Sequence, residues 1–167
     1  MATTYELIAK NVLGSAASDV TFTSIPGTYD DLIVVCSVRT TRANALDYMN
    51  LDLNGDTSNK SERYLRGSGS AASSASQSSF SLVINGDSST ADCFSQWTAY
   101  IPNYAGSTNK SFSCEVAMEQ NSSTAYIHAA ASLWSSTAAI TSIKLYPETG
   151  PNWKADSSFY LFGITKS

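Results

Sequence analysis

The residue types that most often carry out catalysis are scarce in this chain of 167 residues. His128 is the single histidine, in the alanine-rich stretch AYIHAAASLW, and no Gly-x-Ser-x-Gly sequence places a serine nucleophile. A lone histidine on a strand is more often a packed or surface residue than a catalytic base. The sequence therefore gives no support to a Ser-His-Asp hydrolase.

Residues that could bind a metal ion or act as a pair of catalytic carboxylates are also scarce. Cys36, Cys93 and Cys114 are scattered without a C-x-x-C spacing, and a zinc site would need them all to meet the one histidine. Asp30 and Asp31 are adjacent, so on a strand their carboxylates would point to opposite faces, which is unsuitable for a glycosidase pair. We expect turn chemistry there instead. We predict no catalytic residue, no metal site and no cofactor, and therefore no enzyme.

Aromatic side chains are the remaining candidates for ligand binding. Tyr100, Tyr104, Trp134, Trp153 and Tyr160 could stack on sugars. The competing interpretation, which we favour, places Trp97 and Trp134 in a hydrophobic core and makes Trp153 the plug of a loop.

Charge and cysteine content limit the possible partners and compartments. The net charge of −4 and the pI of about 4.8 argue against nucleic acid, which needs clustered Lys and Arg. The densest basic stretch, KSERYLR, is expected to be a solvated edge strand. No run approaches 18 apolar residues and the N-terminus lacks a signal-peptide pattern, so we expect no membrane partner. We expect all three cysteines to be reduced core residues, without disulfides, in a chain that folds in a reducing cytosol.

Period-two alternation of apolar residues dominates the chain and predicts β-strands. DLIVVCSVRT is apolar on both faces, which is typical of a strand at the centre of a sheet. DYMNLDLNGD and FSLVINGD each run into an Asn-Gly pair, which predicts β-hairpins. AYIHAAASLW tolerates helix, but its apolar row of Ala125, Ile127, Ala129, Ala131 and Leu133 alternates with polar residues, so we predict a strand.

About ten short antiparallel strands and no helix predict an all-β fold, a jelly-roll-like β-sandwich forming a single domain over residues 1–167. The segment Gly67–Ser79, GSGSAASSASQSS, is expected to be a loop. Two interpretations of it stay open, a floppy surface loop and a segment ordered by a neighbouring subunit.

The last strand, SSFYLFGI, carries apolar residues on both faces. Such a strand suits the interior of a sheet, with one face on its own core and the other on a neighbouring subunit. We therefore predict a subunit interface that involves this strand or the Pro147–Trp153 loop beside it. Its expected members are Trp153, Tyr160, Phe162 and Ile164.

Three blocks, YIPNYAGSTNKSFS, SLWSSTAAITSIKLYP and SSFYLFGI, resemble a family of small bacteriophage virion proteins, many from phages of cyanobacteria. The resemblance extends over essentially the whole chain, beginning with YELIAKNVLGSAASDVTFTSIPGTYDDLIV. The loop PETGPNWKADS departs from it, being more elaborate than usual. The resemblance implies a structural role and transfers no catalytic residue.

What the resemblance implies is a capsid decoration (cement) protein that is made in the bacterial cytoplasm and located on the virion. Its expected partners are its own copies, as a homotrimer, and the major capsid protein or other virion proteins. Two alternatives stay open. One is a tail or fibre-tip component, and the other is a carbohydrate-binding module that contacts a glycan on the host surface.

Overall fold

The computed structural model describes residues 4–121 and 124–165, and within these ranges every regular element is a β-strand. The all-β prediction is confirmed, with twelve strands where about ten were expected. The strands are β1 (Tyr5–Val12), β2 (Val20–Phe22), β3 (Asp31–Val38), β4 (Leu46–Leu53), β5 (Lys60–Gly67), β6 (Ala72–Gln77), β7 (Ser81–Asn85), β8 (Ser95–Pro102), β9 (Lys110–Met118), β10 (Tyr126–Trp134), β11 (Ile143–Pro147) and β12 (Ser158–Ile164).

The strands form two sheets of unequal size. The large sheet has eight strands in the order β1-β12-β3-β8-β9-β10-β5-β6, and the small sheet has four in the order β2-β11-β4-β7. Every strand pairing is antiparallel. The predicted β-sandwich is confirmed, and jelly-roll connectivity stays a prediction.

One continuous hydrophobic cluster fills the space between the sheets. The inner face of the large sheet consists of alternate residues of each strand, because successive side chains point to opposite faces. On β3 these residues are Leu32, Val34, Cys36 and Val38, all at most 2% exposed. Trp97 on β8 is 1% exposed, as its position on an apolar face predicts. The central position predicted for β3 and the interior position predicted for β12 are both found.

The two Asn-Gly hairpin predictions are wrong, although the first turn has the expected backbone. Asn54 and Gly55 both have positive φ, at 53° and 71°, as a tight turn of this sequence requires. Each pair nevertheless stands at the end of a strand of the small sheet, β4 or β7. The next strand in the chain, β5 or β8, belongs to the large sheet. The chain changes sheet at these turns because the strand partners of β4 and β7 are distant in sequence, which local turn chemistry does not reveal.

The serine-rich segment and its basic neighbour also differ from expectation. Within Gly67–Ser79, β6 pairs with β5 and forms one edge of the large sheet. KSERYLR is consequently an interior strand, and Glu62 within it is fully buried. Backbone hydrogen bonds to β5 order a segment that lacks large apolar side chains, which is why the composition of the segment led to a wrong prediction.

The strand AYIHAAASLW forms as predicted, but its buried face is the opposite one. Ala130 and Trp134 face the core together with the polar His128 and Ser132, while Ile127 is 70% exposed. Trp134 fixes this orientation, because its ring is 2% exposed and its Nε1 donates to Asp56 Oδ2 over 2.8 Å. One large anchored ring outweighs a row of small alanines.

Candidate interaction face

The outer face of the large sheet is the only sheet surface in the described ranges that exposes several large apolar side chains. The exposed ones on or beside this face are Tyr5, Leu7, Val12, Leu65, Tyr100 and Ile127, between 39% and 70% exposed. They separate into two regions. One lies on β1, β12, β3 and β8, and the other on β9, β10 and β5.

The first region, which we call the aromatic patch, comprises Tyr5, Leu7, Ile33, Tyr100, Tyr160 and Phe162. Strand register builds it, because residues directly opposite on neighbouring strands share a face. Leu7 lies opposite Phe162, Phe162 opposite Ile33, and Ile33 opposite Tyr100. The rings of Tyr160 and Phe162 stack with centroids 6.4 Å apart and an interplanar angle of 19°. The patch is therefore a nearly continuous apolar strip across four strands.

A buried carboxylate fixes one end of the aromatic patch. Tyr100 donates its hydroxyl to Asp31 Oδ2 over 2.7 Å, and the backbone N–H of Asn103 donates to Asp31 Oδ1 over 2.9 Å. The hydrogen bond to Asp31, followed by burial and by the charge of that carboxylate, raises the pKa of Tyr100. Asp31 thus holds the Tyr100 ring in a defined orientation on the sheet surface.

The second region, the alanine groove, is a shallow depression over Ala117, Ala129 and Ala131. The small side chains of Ala129 and Ala131 leave a hollow of about 370 Å³, which Arg63, Leu65 and Glu115 also line. A smaller hollow of about 260 Å³ lies between Leu65 and Ile127. Charged groups flank this region, so it is less continuous as an apolar surface than the aromatic patch.

The structure places three of the four predicted interface residues on one face. Tyr160 and Phe162 are half-buried within the aromatic patch, and Ile164 follows them on the same face at 9% exposure. Trp153 lies elsewhere. Its ring is fully buried, packs edge-on against Phe159 and donates Nε1 to Leu145 O over 3.3 Å. Trp153 therefore has no surface to offer another subunit, because its size and apolarity serve the core of its own chain.

The five aromatic residues considered for sugar stacking divide in the same way. Tyr104, Trp134 and Trp153 are at most 2% exposed, which confirms the core interpretation for Trp134 and the plug interpretation for Trp153. Tyr100 and Tyr160 lie on the outer face, in the aromatic patch. Of these five rings, the two that could meet a ligand therefore belong to this patch.

The single histidine lies on the inner face of the large sheet, away from both regions. His128 is 2% exposed, and its ring meets the Tyr64 ring edge-on with centroids 4.5 Å apart. Burial, and secondly the charge of Arg66, lower the pKa of His128 to about 4. Within residues 4–121 and 124–165, no three His, Cys, Asp or Glu side chains form a group that could hold a metal ion.

The three cysteines are free, and two of them lie in the core. Burial raises the pKa of the Cys36 and Cys114 thiols well above the ordinary value. Cys93 is a correction to the expectation of three core thiols, since it lies half-exposed before β8 with its Sγ donating to Glu119 O. In the described part of the chain, no helix is long and apolar enough to cross a membrane.

Arg39 is an important residue that sequence reasoning missed. Its side chain is 3% exposed, and its guanidinium donates to the carbonyl oxygens of Asp87, Ser89, Thr90 and Cys93. These bonds hold the loop between β7 and β8 against the sandwich. The one sequence feature that could have indicated a buried Arg39 is its position directly after the strongly apolar strand β3.

The chain matches no known protein-family model and no curated protein sequence.

Proposed function

We propose that this chain is a structural protein of a bacteriophage particle, a capsid decoration protein that assembles as a homotrimer and binds the major capsid protein or another virion protein. The observation that carries the proposal is the aromatic patch, an apolar strip on an exposed sheet face. Soluble monomers seldom expose a contiguous apolar surface of this kind, and it is typical of a protein-binding site. The resemblance to virion proteins supports the trimer and the particle.

Self-association through the aromatic patch is the first step to test. Phe162→Asp would bury a charge without a partner in the contact, so the variant should remain monomeric. The matched control is Ile127→Asp, which changes a 70% exposed apolar residue on the same sheet face but outside the patch. Light scattering coupled to gel filtration at micromolar concentration should give a trimer for wild type and Ile127→Asp. A monomeric wild type, or a trimeric Phe162→Asp, contradicts the proposed interface.

Location on the particle is the second step. Mass spectrometry of purified phage particles should detect the chain, and particle imaging at subunit resolution should place it on the capsid surface. A position at the tail or on a fibre tip would favour the alternative role within the same class. Absence from purified particles would refute the virion proposal altogether.

Glycan binding is a second candidate function, favoured by the stacked rings of Tyr160 and Phe162 on the same face as the fixed Tyr100 hydroxyl. Flat aromatic pairs flanked by polar groups suit sugar rings, which have an apolar face and hydroxyl edges. A glycan array probed with wild type and with Tyr160→Ala distinguishes the two functions. A signal that disappears in the variant would support glycan recognition, and no signal with wild type would leave self-assembly as the role of the patch.

A further inference from the structure

An ion pair between Lys60 and Asp52 joins the two sheets along one side of the sandwich. Lys60 belongs to β5 of the large sheet and Asp52 to β4 of the small sheet. Lys60 Nζ is in direct contact with Asp52 Oδ1, and only 5% and 7% of the two side chains are exposed. The pair is therefore shielded from water.

Neighbouring groups hold Lys60 Nζ and Asp52 Oδ1 in place. Lys60 Nζ also donates to Leu51 O over 3.1 Å and lies 5.4 Å from the centre of the Phe80 ring. Tyr146 donates its hydroxyl to Asp52 Oδ1 over 3.3 Å, the same oxygen that the lysine contacts. The amine and the carboxyl group that an amide bond would join are therefore held side by side, with one carboxyl oxygen receiving two donors.

A buried acid lies next to the lysine on the same strand. Glu62 follows Lys60 by two residues, so the two side chains point to the same face of β5. Glu62 is fully buried, and it forms no ion pair within the described residues, its carboxylate accepting from Ser132, Gln77 and Ser81 instead. Burial raises the pKa of Glu62, and the charge of Lys60 acts to lower it, so the two groups are electrostatically coupled.

We propose that Lys60 Nζ and Asp52 Cγ form an amide bond within the chain, with Glu62 as the proton relay. The ammonium group gives one proton directly to Oδ1, and the resulting neutral amine attacks Cγ. Glu62 then takes a second proton from the nitrogen bonded to Cγ and passes it to Oδ1 as the Cγ–Oδ1 bond breaks. The products are one amide and one water molecule, so no oxidant or other reactant is needed.

The amide would fasten β4 to β5 and close the turn at Asn54 and Gly55 that connects the two sheets. It is independent of the proposed virion role, because it uses neither the aromatic patch nor any partner. It replaces a buried ion pair, which contributes little net stability, with a covalent bond that unfolding cannot break.

Proteolysis and mass spectrometry test the bond directly. The intact wild-type chain should be lighter than its sequence by one molecule of water. Trypsin should fail to cleave after Lys60, because the amine is acylated, and should yield a peptide from Ala43 to Arg63 that lacks one water. Normal cleavage after Lys60 overturns the proposal, whether or not water has been lost elsewhere. Lys154, in the exposed ion pair with Asp87, is the matched control and should be cleaved normally.

Four variants separate the bond from a simple ion pair. Asp52→Asn should lose ammonia in place of water and give the same crosslinked product, while Asp52→Ala and Lys60→Arg should lose nothing. Glu62→Gln should slow the mass loss at least tenfold while circular dichroism still shows a folded β protein. A crosslink that forms equally fast in Glu62→Gln overturns the relay, and an uncrosslinked Asp52→Asn contradicts the attack at Cγ.

Discussion

The two faces of the eight-stranded sheet differ in how their side chains are used. On the inner face, large residues such as Trp97 and Trp134 are closed off by the small sheet, and polar residues there have to be buried with them. On the outer face, Tyr100 and Ile127 remain accessible although they are as apolar as many core residues. An apolar side chain on this sheet is therefore not necessarily a core residue. Residues on the face that the small sheet covers stabilise the fold, while residues on the uncovered face are available for contacts with other molecules.

The largest loss of stability is expected when a large side chain is removed from the inner face. Trp97→Ala would remove a ring that is 1% exposed and should lower the free energy of unfolding by about 3–5 kcal/mol, through lost burial and the cavity left behind. Denaturant unfolding measures this loss. A change below about 1 kcal/mol would mean that β8 does not present Trp97 to the core.

Acid should destabilise the inner face through His128. Its pKa is about 4 in the fold and about 6.5 in an unfolded chain, so the unfolded state binds the proton more readily. The stabilisation is complete above pH 6.5 and is lost as the pH falls towards 4, by about 3 kcal/mol in total. Glu62, whose pKa is raised by burial, contributes to the pH dependence of stability with the opposite sign.

His128→Leu isolates that contribution. Neither ring nitrogen of His128 has a hydrogen-bond partner among the described residues, so an apolar side chain should be tolerated at pH 7. Urea unfolding measured from pH 7 to pH 4 should show a smaller loss in the variant than in wild type. Equal losses in the two proteins would assign the acid sensitivity to other groups.

A close approach on β12 gives an intermediate effect. A Cβ added at Gly163 would lie 2.3 Å from the Tyr29 ring, so Gly163→Ala should displace that ring and cost about 1–3 kcal/mol. Gly14→Ala is the control, because an added Cβ there meets no atom within 4 Å. Thermal unfolding of the pair should therefore show a clear decrease only for Gly163→Ala.

The smallest effect is expected on the outer face. Ile127→Ser changes a side chain that is 70% exposed and should alter stability by no more than about 0.5 kcal/mol, in contrast to Trp97→Ala. Denaturant unfolding again provides the measurement. A loss of more than about 1 kcal/mol would show that Ile127 is covered in the native protein, and would extend the interface into the alanine groove.

The sequence by itself determined the fold class, the interior position of β3 and β12, and the burial of Trp97. These follow from period-two alternation, because burial of one or both faces of a strand leaves a direct record in its apolar residues. The same alternation places Tyr160 and Phe162 together on one face of the last strand. An interface at these two residues could therefore be predicted without knowing the order of the strands.

Tertiary structure alone decided which distant strands meet and which face of a weakly marked strand is buried. The buried His128, the ordering of β6 and the change of sheet after Asn54-Gly55 all depend on pairing between segments far apart in sequence. The same holds for the buried Trp153, for Arg39 bonded to a distant loop and for Lys60 against Asp52. Local patterns cannot contain these results, because the free energy that selects each of them comes from contacts formed only when the two sheets close.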